Sequence, residues 1–225
     1  MWDDPWKLVI AVRLLNVTTA RVAIPVFCKI VSRWPTPQDI VDAPLNELVD
    51  LLRPLGLYNK RAKWLKDISQ LYMDDPPRYP SPNPDVLSPE APMPMSQGSS
   101  QSNFKTRNRN PSYPDTPISH FPGVGPYALD SFRIFCKSTL EEGTRNDEWK
   151  NVMPADKELI QYLRWKWACE ERKIWYSNGV GVVGEVDVPY LVTLVDELAE
   201  RYDAMVGGEG YMYHFSADLS DILTS

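Results

Sequence analysis

Two short stretches of this 225-residue sequence hold residue types that could bind an anion or act on a bond. In Phe121-Pro-Gly-Val-Gly-Pro-Tyr127, Gly123 and Gly125 flank one small apolar residue, Val124, and a helix-forming segment follows at once. Glycine takes backbone angles that a Cβ forbids, so the turn is expected to be tight and to bring bare backbone against a ligand. Pro126 suits the first position of the next helix, where no N–H is needed. The N–H groups of the turn and of the helix start then face outward as an anion site, and a phosphate is the natural guest. The spacing is not the longer glycine pattern of P-loops or dinucleotide folds. The same residues also fit an ordinary Gly-rich turn ahead of a core helix. Further on, in Val152-Met-Pro-Ala-Asp-Lys-Glu-Leu159, Pro154 suits a helix start and places Asp156 in the first turn. There the positive end of the helix dipole favours an ionised carboxylate. Such a group either acts in acid–base or electrostatic chemistry or only complements the dipole.

The elements that must carry these residues read as helices. Asp3-Asp4-Pro5 is a helix cap and first turn, followed by Leu8, Val9, Val12 and Leu15 at helical spacing, with a stop near Asn16. Thr18 or Thr19 caps a second helix through Val22, Val26 and Ile30, which Pro25 is expected to kink. Thr36 and Pro44 start two short helices. Arg53-Pro-Leu-Gly-Leu-Tyr-Asn59 breaks the pattern, and Asn59 is expected to cap a helix through Leu65, Ile68 and Tyr72. After the glycine turn, Leu129, Phe132, Ile134, Phe135 and Cys136 predict a strongly apolar helix, as buried central helices are. Asp130 and Arg133 on it are expected to pair or cap. Glu141 to Lys150 reads as a polar loop, the helix after Pro154 carries Leu159, Ile160, Leu163 and Trp167, and Ser177 to Gly184 reads as a Gly-rich loop. A last amphipathic helix is predicted from Pro189 to Met205. No stretch alternates for long, so the fold class is all-α. Residues 74–117 differ: rich in Pro, Ser and Asn, they cannot bury enough surface to offset their chain entropy and are expected to be a disordered surface insertion.

Hydrophobic residues make up 43% of the chain, enough for one sizeable core or two small lobes. The net charge of −6 argues against a broad electrostatic grip on nucleic acid, though not against a local basic face. Two basic clusters stand out: Lys60, Arg61, Lys63 and Lys66 in one helix, and Lys105, Arg107 and Arg109 in the insertion. A solvated helix face explains the first group as well. The eight tryptophans and eleven tyrosines fit core packing better than base stacking. The three cysteines, Cys28, Cys136 and Cys169, lack metal-ligand spacing and are odd in number, which points to a reducing compartment. His120 and His214 stand alone and are expected in loops or at the surface, with no metal. Neither a membrane-spanning run nor a signal peptide is seen.

The glycine turn followed by Asp156 resembles the helix-hairpin-helix (HhH-GPD) superfamily of DNA glycosylases. The closest likeness is to the thymine mismatch glycosylase domain found with a methyl-CpG-binding domain. The matching words occur in the family's order: Asp4-Pro-Trp-Lys-Leu8, Ala23-Ile-Pro-Val26, Pro54-Leu-Gly-Leu-Tyr58 with Arg61-Ala-Lys63, Asp130-Ser-Phe-Arg-Ile-Phe-Cys136 and Pro154-Ala-Asp156. The likeness runs from Asp4 to about Trp175, minus the insertion. Met1 stands directly against the first word, so an upstream helix of the family is expected to be absent.

The resemblance implies a two-lobed helical fold organised as 1–73, the N-terminal part of the glycosylase domain; 74–117, the insertion; 118–176, the hairpin and aspartate part; and 177–225, a C-terminal extension with one helix. The hairpin and Asp156 are expected to line the cleft between the lobes. Gly123, Val124 and Gly125 would grip one DNA backbone phosphate. Asp156 would be the catalytic aspartate, stabilising the positive charge that grows on the sugar as an N-glycosidic bond breaks and orienting or deprotonating a water. Tyr127 stands where bifunctional relatives such as endonuclease III carry a Schiff-base lysine. Tyrosine cannot do that chemistry, so the resemblance implies a monofunctional enzyme in which Tyr127 stacks on or frames the flipped base. Leu57 resembles the apolar wedge that enters the opposite strand. Val17 occupies the position of the second plug, which is usually Gln or Arg, and a valine cannot hydrogen-bond an orphaned base. The implied partner is double-stranded DNA with a mismatched or damaged base, bound by a monomer, with no iron–sulfur cluster and, in a eukaryote, in the nucleus.

Three functions fit these residues: excision of thymine or uracil opposite guanine, excision of a different base such as adenine or a damaged one, and a catalytically inert helix-hairpin-helix module that binds DNA or a protein. Val17 and the acidic charge favour the last.

Overall fold

The computed structural model describes residues 4–79, 115–136, 147–177 and 179–206. It is a mostly helical fold with one small antiparallel strand pair among the described residues. The chain forms two compact units, one from Met1–Asn16 and Val26–Val152, the other from Val17–Pro25 and Met153–Ser225.

In the first unit, α1 (Pro5–Leu15) begins at Asp4, whose carboxylate accepts from the backbone N–H groups of Trp6 and Lys7, and it ends at Asn16 as the sequence predicts. Helix α2 (Ala20–Arg33) carries Pro25 inside it, and the division between the units falls at that residue. Thr36 and Asp39 form a reciprocal capping box at α3 (Pro37–Asp42). Helix α4 (Leu45–Leu52) and a 3-10 turn, Arg53–Leu55, lead into α5 (Tyr58–Asp74). Both α3 and α4 pack on α5. Helix α5 starts one residue before the expected cap: Leu57, not Asn59, is the N-cap, and its side chain makes no capping bond. The reason lies in the backbone, because Gly56 and Leu57 both take positive φ, +67° and +50°, and this pair of angles turns the chain into the helix.

A core of Leu8, Val9, Ile68, Ile118, Phe121, Phe132 and Cys136 joins α1, α5 and α6 (Pro126–Phe135). One buried polar contact crosses it, from Trp6 Nε1 to Ser69 Oγ at 3.1 Å, so neither group is left unsatisfied. Asp130 and Arg133 are buried on α6 as expected of paired groups. Burial lowers the Arg133 pKa, and the carboxylates of Asp130, Glu148 and Asp115 oppose that shift. The stretch read as a polar loop is described only from Asp147. There it forms a second 3-10 turn, Glu148–Asn151, that buries Trp149 and packs on α6.

In the second unit, α7 (Lys157–Glu170) and α8 (Val188–Val206) pack through Ala168, Leu191 and Leu194. The Arg164–Glu197 ion pair, 2.6 Å long, links the same two helices. The Gly-rich loop expected at Ser177 to Gly184 is instead the second half of an antiparallel hairpin, β1 (Lys173–Tyr176) with β2 (Gly181–Glu185). The sequence hides it because a bulge between Ile174 and Trp175 shifts the register, so the strands show no sustained alternation.

Most of the predicted insertion lies outside the described residues. Its flanks meet: the Arg78 N–H donates to the Pro117 carbonyl at 2.9 Å. Deleting residues 83–110 therefore leaves both ends where they are and only shortens the loop between them. Since each halving of a loop recovers about 0.6 kcal/mol of closure entropy, the deletion is expected to leave the melting temperature unchanged or slightly raised. A drop of more than about 5 °C, roughly 1–3 kcal/mol for a chain of this size, would show that the segment packs on the core.

Candidate functional site

The glycine turn uses its two glycines differently. Gly123 has φ +83°, the region that glycine favours, so there the residue type is required by the backbone. Gly125 has φ −127° and ψ −172°, extended backbone that any residue adopts, which corrects the expectation that both glycines supply special angles. What glycine gives at 125 is space: an added Cβ would meet nothing within 4 Å. Gly125 is the N-cap of α6, with Pro126 at the helix start as predicted. Among the described residues, the N–H groups of Gly123 and Gly125 have no hydrogen-bond partner, whereas Val124 N–H is taken by the Phe121 carbonyl at 3.3 Å. The arm before the hairpin is a pair of tight turns, Thr116 to Ser119 and Ile118 to Phe121, anchored by buried Ile118 and Phe121. His120 lies in this loop, as expected, with Nε2 3.0 Å from the Asp75 carbonyl oxygen and its ring 4.2 Å from that of Phe121. Tyr127 sits in the first turn of α6, half-buried, and its carbonyl accepts from Ser131 Oγ at 2.7 Å.

A guanidinium stands beside the turn. Arg13 Nη1 lies 3.5 Å from where a Cβ on Gly123 would be, and the same group lies over the Trp64 ring, 5.2 Å from its centroid. The sequence gives no hint of this neighbour, because Arg13 is an isolated cation in an apolar helix and 110 residues of chain separate it from Gly123.

The candidate wedge, Leu57, is exposed (66%) at the tip of the Gly56 turn. Gly56 combines φ +67° with ψ 169°, a region essentially confined to glycine. Four carbonyl contacts tie this turn to the end of α1 through one residue, Arg61. Its Nε donates to Gly56 O at 3.2 Å, Nη1 to Arg13 O at 3.1 Å and Leu14 O at 3.4 Å, and Nη2 to Asn16 O at 3.2 Å. Burial lowers the Arg61 pKa, and the nearby positive Arg13 adds to that shift. The basic cluster on α5 is thus not one face: Arg61 and Lys66 are spent internally, Lys66 on the Val41 carbonyl, while Lys60 and Lys63 are exposed. Through Arg13 and Arg61, the structure brings the hairpin and the Leu57 turn into one basic neighbourhood within the first unit.

Val17 and Asp156 belong to the second unit. Val17 is 93% exposed and has φ +60°, an outlier for a β-branched residue. Asp156 is one step earlier than expected. It is the N-cap of α7 rather than a first-turn residue, because Pro154 and Ala155 lie outside any helix and the chain turns helical only at Lys157. Its Oδ1 accepts both bonds, from Glu158 N–H at 2.9 Å and Leu159 N–H at 3.1 Å. That leaves Oδ2 outside the cap, so the carboxylate is held in place by one oxygen and presents the other. A pocket of about 600 Å3 between α7, β1 and α8, lined by Arg164, Tyr176, Tyr190 and Glu197, includes none of the predicted site residues. Among the described residues, no group of three metal-ligating side chains is found, and no helix is long and apolar enough to cross a membrane.

Known proteins place these features. A model of the HhH-GPD superfamily base excision DNA repair protein matches residues 11–186, past the limit near Trp175 that the resemblance suggests, and so takes in the β1–β2 hairpin. The chain belongs to this superfamily. A thymine-DNA glycosylase of Aeropyrum pernix is 37% identical over 67 residues, 30% of this chain and 30% of that protein. The methyl-CpG-binding domain protein 4-like protein of Arabidopsis thaliana is 24% identical over 161 residues, 72% of this chain but 26% of that protein. Endonuclease III of Bacillus subtilis is 29% identical over 73 residues, 32% of this chain and 33% of that protein. The chain thus matches at most about a third of the length of these relatives.

Proposed function

We propose that this chain is a monofunctional DNA glycosylase of base excision repair that flips a thymine or uracil opposite guanine and hydrolyses its N-glycosidic bond. The observation that carries the reading is Asp156. It is a carboxylate fixed at a helix start through one oxygen, with the other available to a developing sugar cation or a water, in a chain of the HhH-GPD superfamily. In this reading the hairpin amides of Gly123 and Gly125 hold a backbone phosphate, Tyr127 frames the extruded base, and Leu57 enters the stack it leaves. The name of the thymine-DNA glycosylase relative supports the pyrimidine substrate. The chemistry uses water and no lysine adduct, because residue 127 is tyrosine. The reading invokes no iron–sulfur cluster and has the enzyme act as a monomer on duplex DNA, in the nucleus if the cell has one.

Val17 favours the second reading, an inert binding module, since an exposed valine offers an orphaned guanine no hydrogen bond. Single-turnover assays on G·T and G·U duplexes, with borohydride present in a parallel reaction, separate the possibilities. The expected result is free base, an intact abasic strand and no trapped covalent complex. Efficient trapping would assign the chain to the lysine-type chemistry; binding without excision from any mismatch would leave the inert module.

A further inference from the structure

We propose that Arg61 is a positioning residue for base flipping: it clamps the Leu57 turn to the C-terminal end of α1 and so sets where the wedge enters DNA. The inference rests on the glycosylase reading. Helix α1 ends at Leu15, and the carbonyls of its last turn have no partner inside the helix. Arg61 supplies donors to three carbonyls there, of Arg13, Leu14 and Asn16, while its Nε holds Gly56 O from the other side. A cation at this end also complements the helix dipole.

The planar guanidinium makes the span possible. Its donors point in fixed directions from one rigid plane, whereas a lysine ammonium is a single point on a flexible stem. What is clamped is an unusual turn. Gly56 and Leu57 both have positive φ, and the Leu57 side chain makes no capping bond, so locally the tip is held by main-chain bonds only, Gly56 N–H to the Arg53 carbonyl and Arg61 N–H to the Leu57 carbonyl. Asn16, the far end of the clamp, is the residue before Val17 in the chain. An apolar wedge acts only if its placement is fixed before the base leaves the stack, because its contact must offset the cost of unstacking. A wedge on a loose turn spreads over positions that do not fill the gap.

The experiment measures single-turnover excision of uracil from two duplexes, one with guanine opposite the uracil and one with an abasic site opposite it. The readout is the ratio of the two rates. Partial unfolding lowers both rates equally and cancels in the ratio, whereas a misplaced wedge slows the paired substrate more, since only there must a pair be broken. Arg61→Gln is expected to lower the ratio about tenfold, with Leu57→Ala lowering it similarly and the double variant adding little, as coupled residues behave. Arg61→Lys keeps the charge and loses the span, so it is expected to stay close to Arg61→Gln. The proposal is overturned if Arg61→Gln leaves the ratio unchanged, if the double variant is additive, or if Arg61→Lys restores the ratio, which would mark a charge contact with DNA. If the parent chain excises neither uracil nor, in the same pair of duplexes, thymine, the glycosylase reading itself fails and the inference falls with it.

Discussion

Asp156→Asn is expected to abolish base excision while leaving the fold and the duplex affinity intact. Oδ1 of Asp156 accepts from the Glu158 and Leu159 N–H groups, and an asparagine carbonyl oxygen accepts the same bonds. Asparagine is as good an N-cap as aspartate, so helix α7 should start in the same place and the melting temperature should hardly move. What is lost is the negative charge on the oxygen that faces away from the cap. In a pre-organised, partly dry site, such a charge aimed at a developing cation is worth about 3–4 kcal/mol, or two to three orders of magnitude in rate. Removing a negative group near phosphates should not weaken binding. The check is single-turnover excision beside a duplex titration and a melting curve. A variant that excises like the parent would move the chemistry elsewhere. Glu158 would be the first residue to test, although its Oε1 lies 3.1 Å from Arg201.

Gly125→Asp is expected to do the reverse, removing DNA binding from a folded protein. The backbone at Gly125 is extended, so an aspartate adopts it without strain, and a Cβ there meets no atom of the protein within 4 Å. As the N-cap of α6, the aspartate should even support the helix. Its charge, however, occupies the space in front of the Gly123 and Gly125 amides, where the phosphate is proposed to sit. Losing charge-assisted hydrogen bonds to one phosphate costs about one to two orders of magnitude in affinity. The slope of log affinity against log salt should fall by about 0.9, since one fewer phosphate is neutralised. An unchanged slope with an unchanged affinity would mean that the hairpin does not touch the backbone. The neighbouring Gly123→Ala would not test this cleanly, because φ +83° disfavours any side chain and the methyl would press toward Arg13.

Local residue types locate the helices, several of their caps and the candidate residues. Asp4, Thr36 and Pro126 mark helix starts through bonds or ring constraints that act within a few residues, and the structure keeps all three. Local signals of that kind need no knowledge of the rest of the chain. Where the local signal depended on backbone angles, the sequence was less sure. It credited both hairpin glycines with special angles when only Gly123 takes one, put the α5 cap at Asn59 rather than Leu57, and placed Asp156 inside α7 rather than at its cap. It also passed over the β1–β2 hairpin, whose bulge breaks the alternation by which strands are recognised.

Tertiary structure alone decided which cations serve the site. Lys60, Arg61, Lys63 and Lys66 look alike as a basic stretch of helix. Only the packing of α5 beside the end of α1 turns Arg61 onto the carbonyls of Arg13, Leu14 and Asn16. The same packing of α1 puts Arg13 beside Gly123, although its partner there is the Trp64 ring. Contacts of this kind form between residues far apart in the chain. The partners of Arg61 are main-chain groups, which every residue carries and no sequence pattern can distinguish.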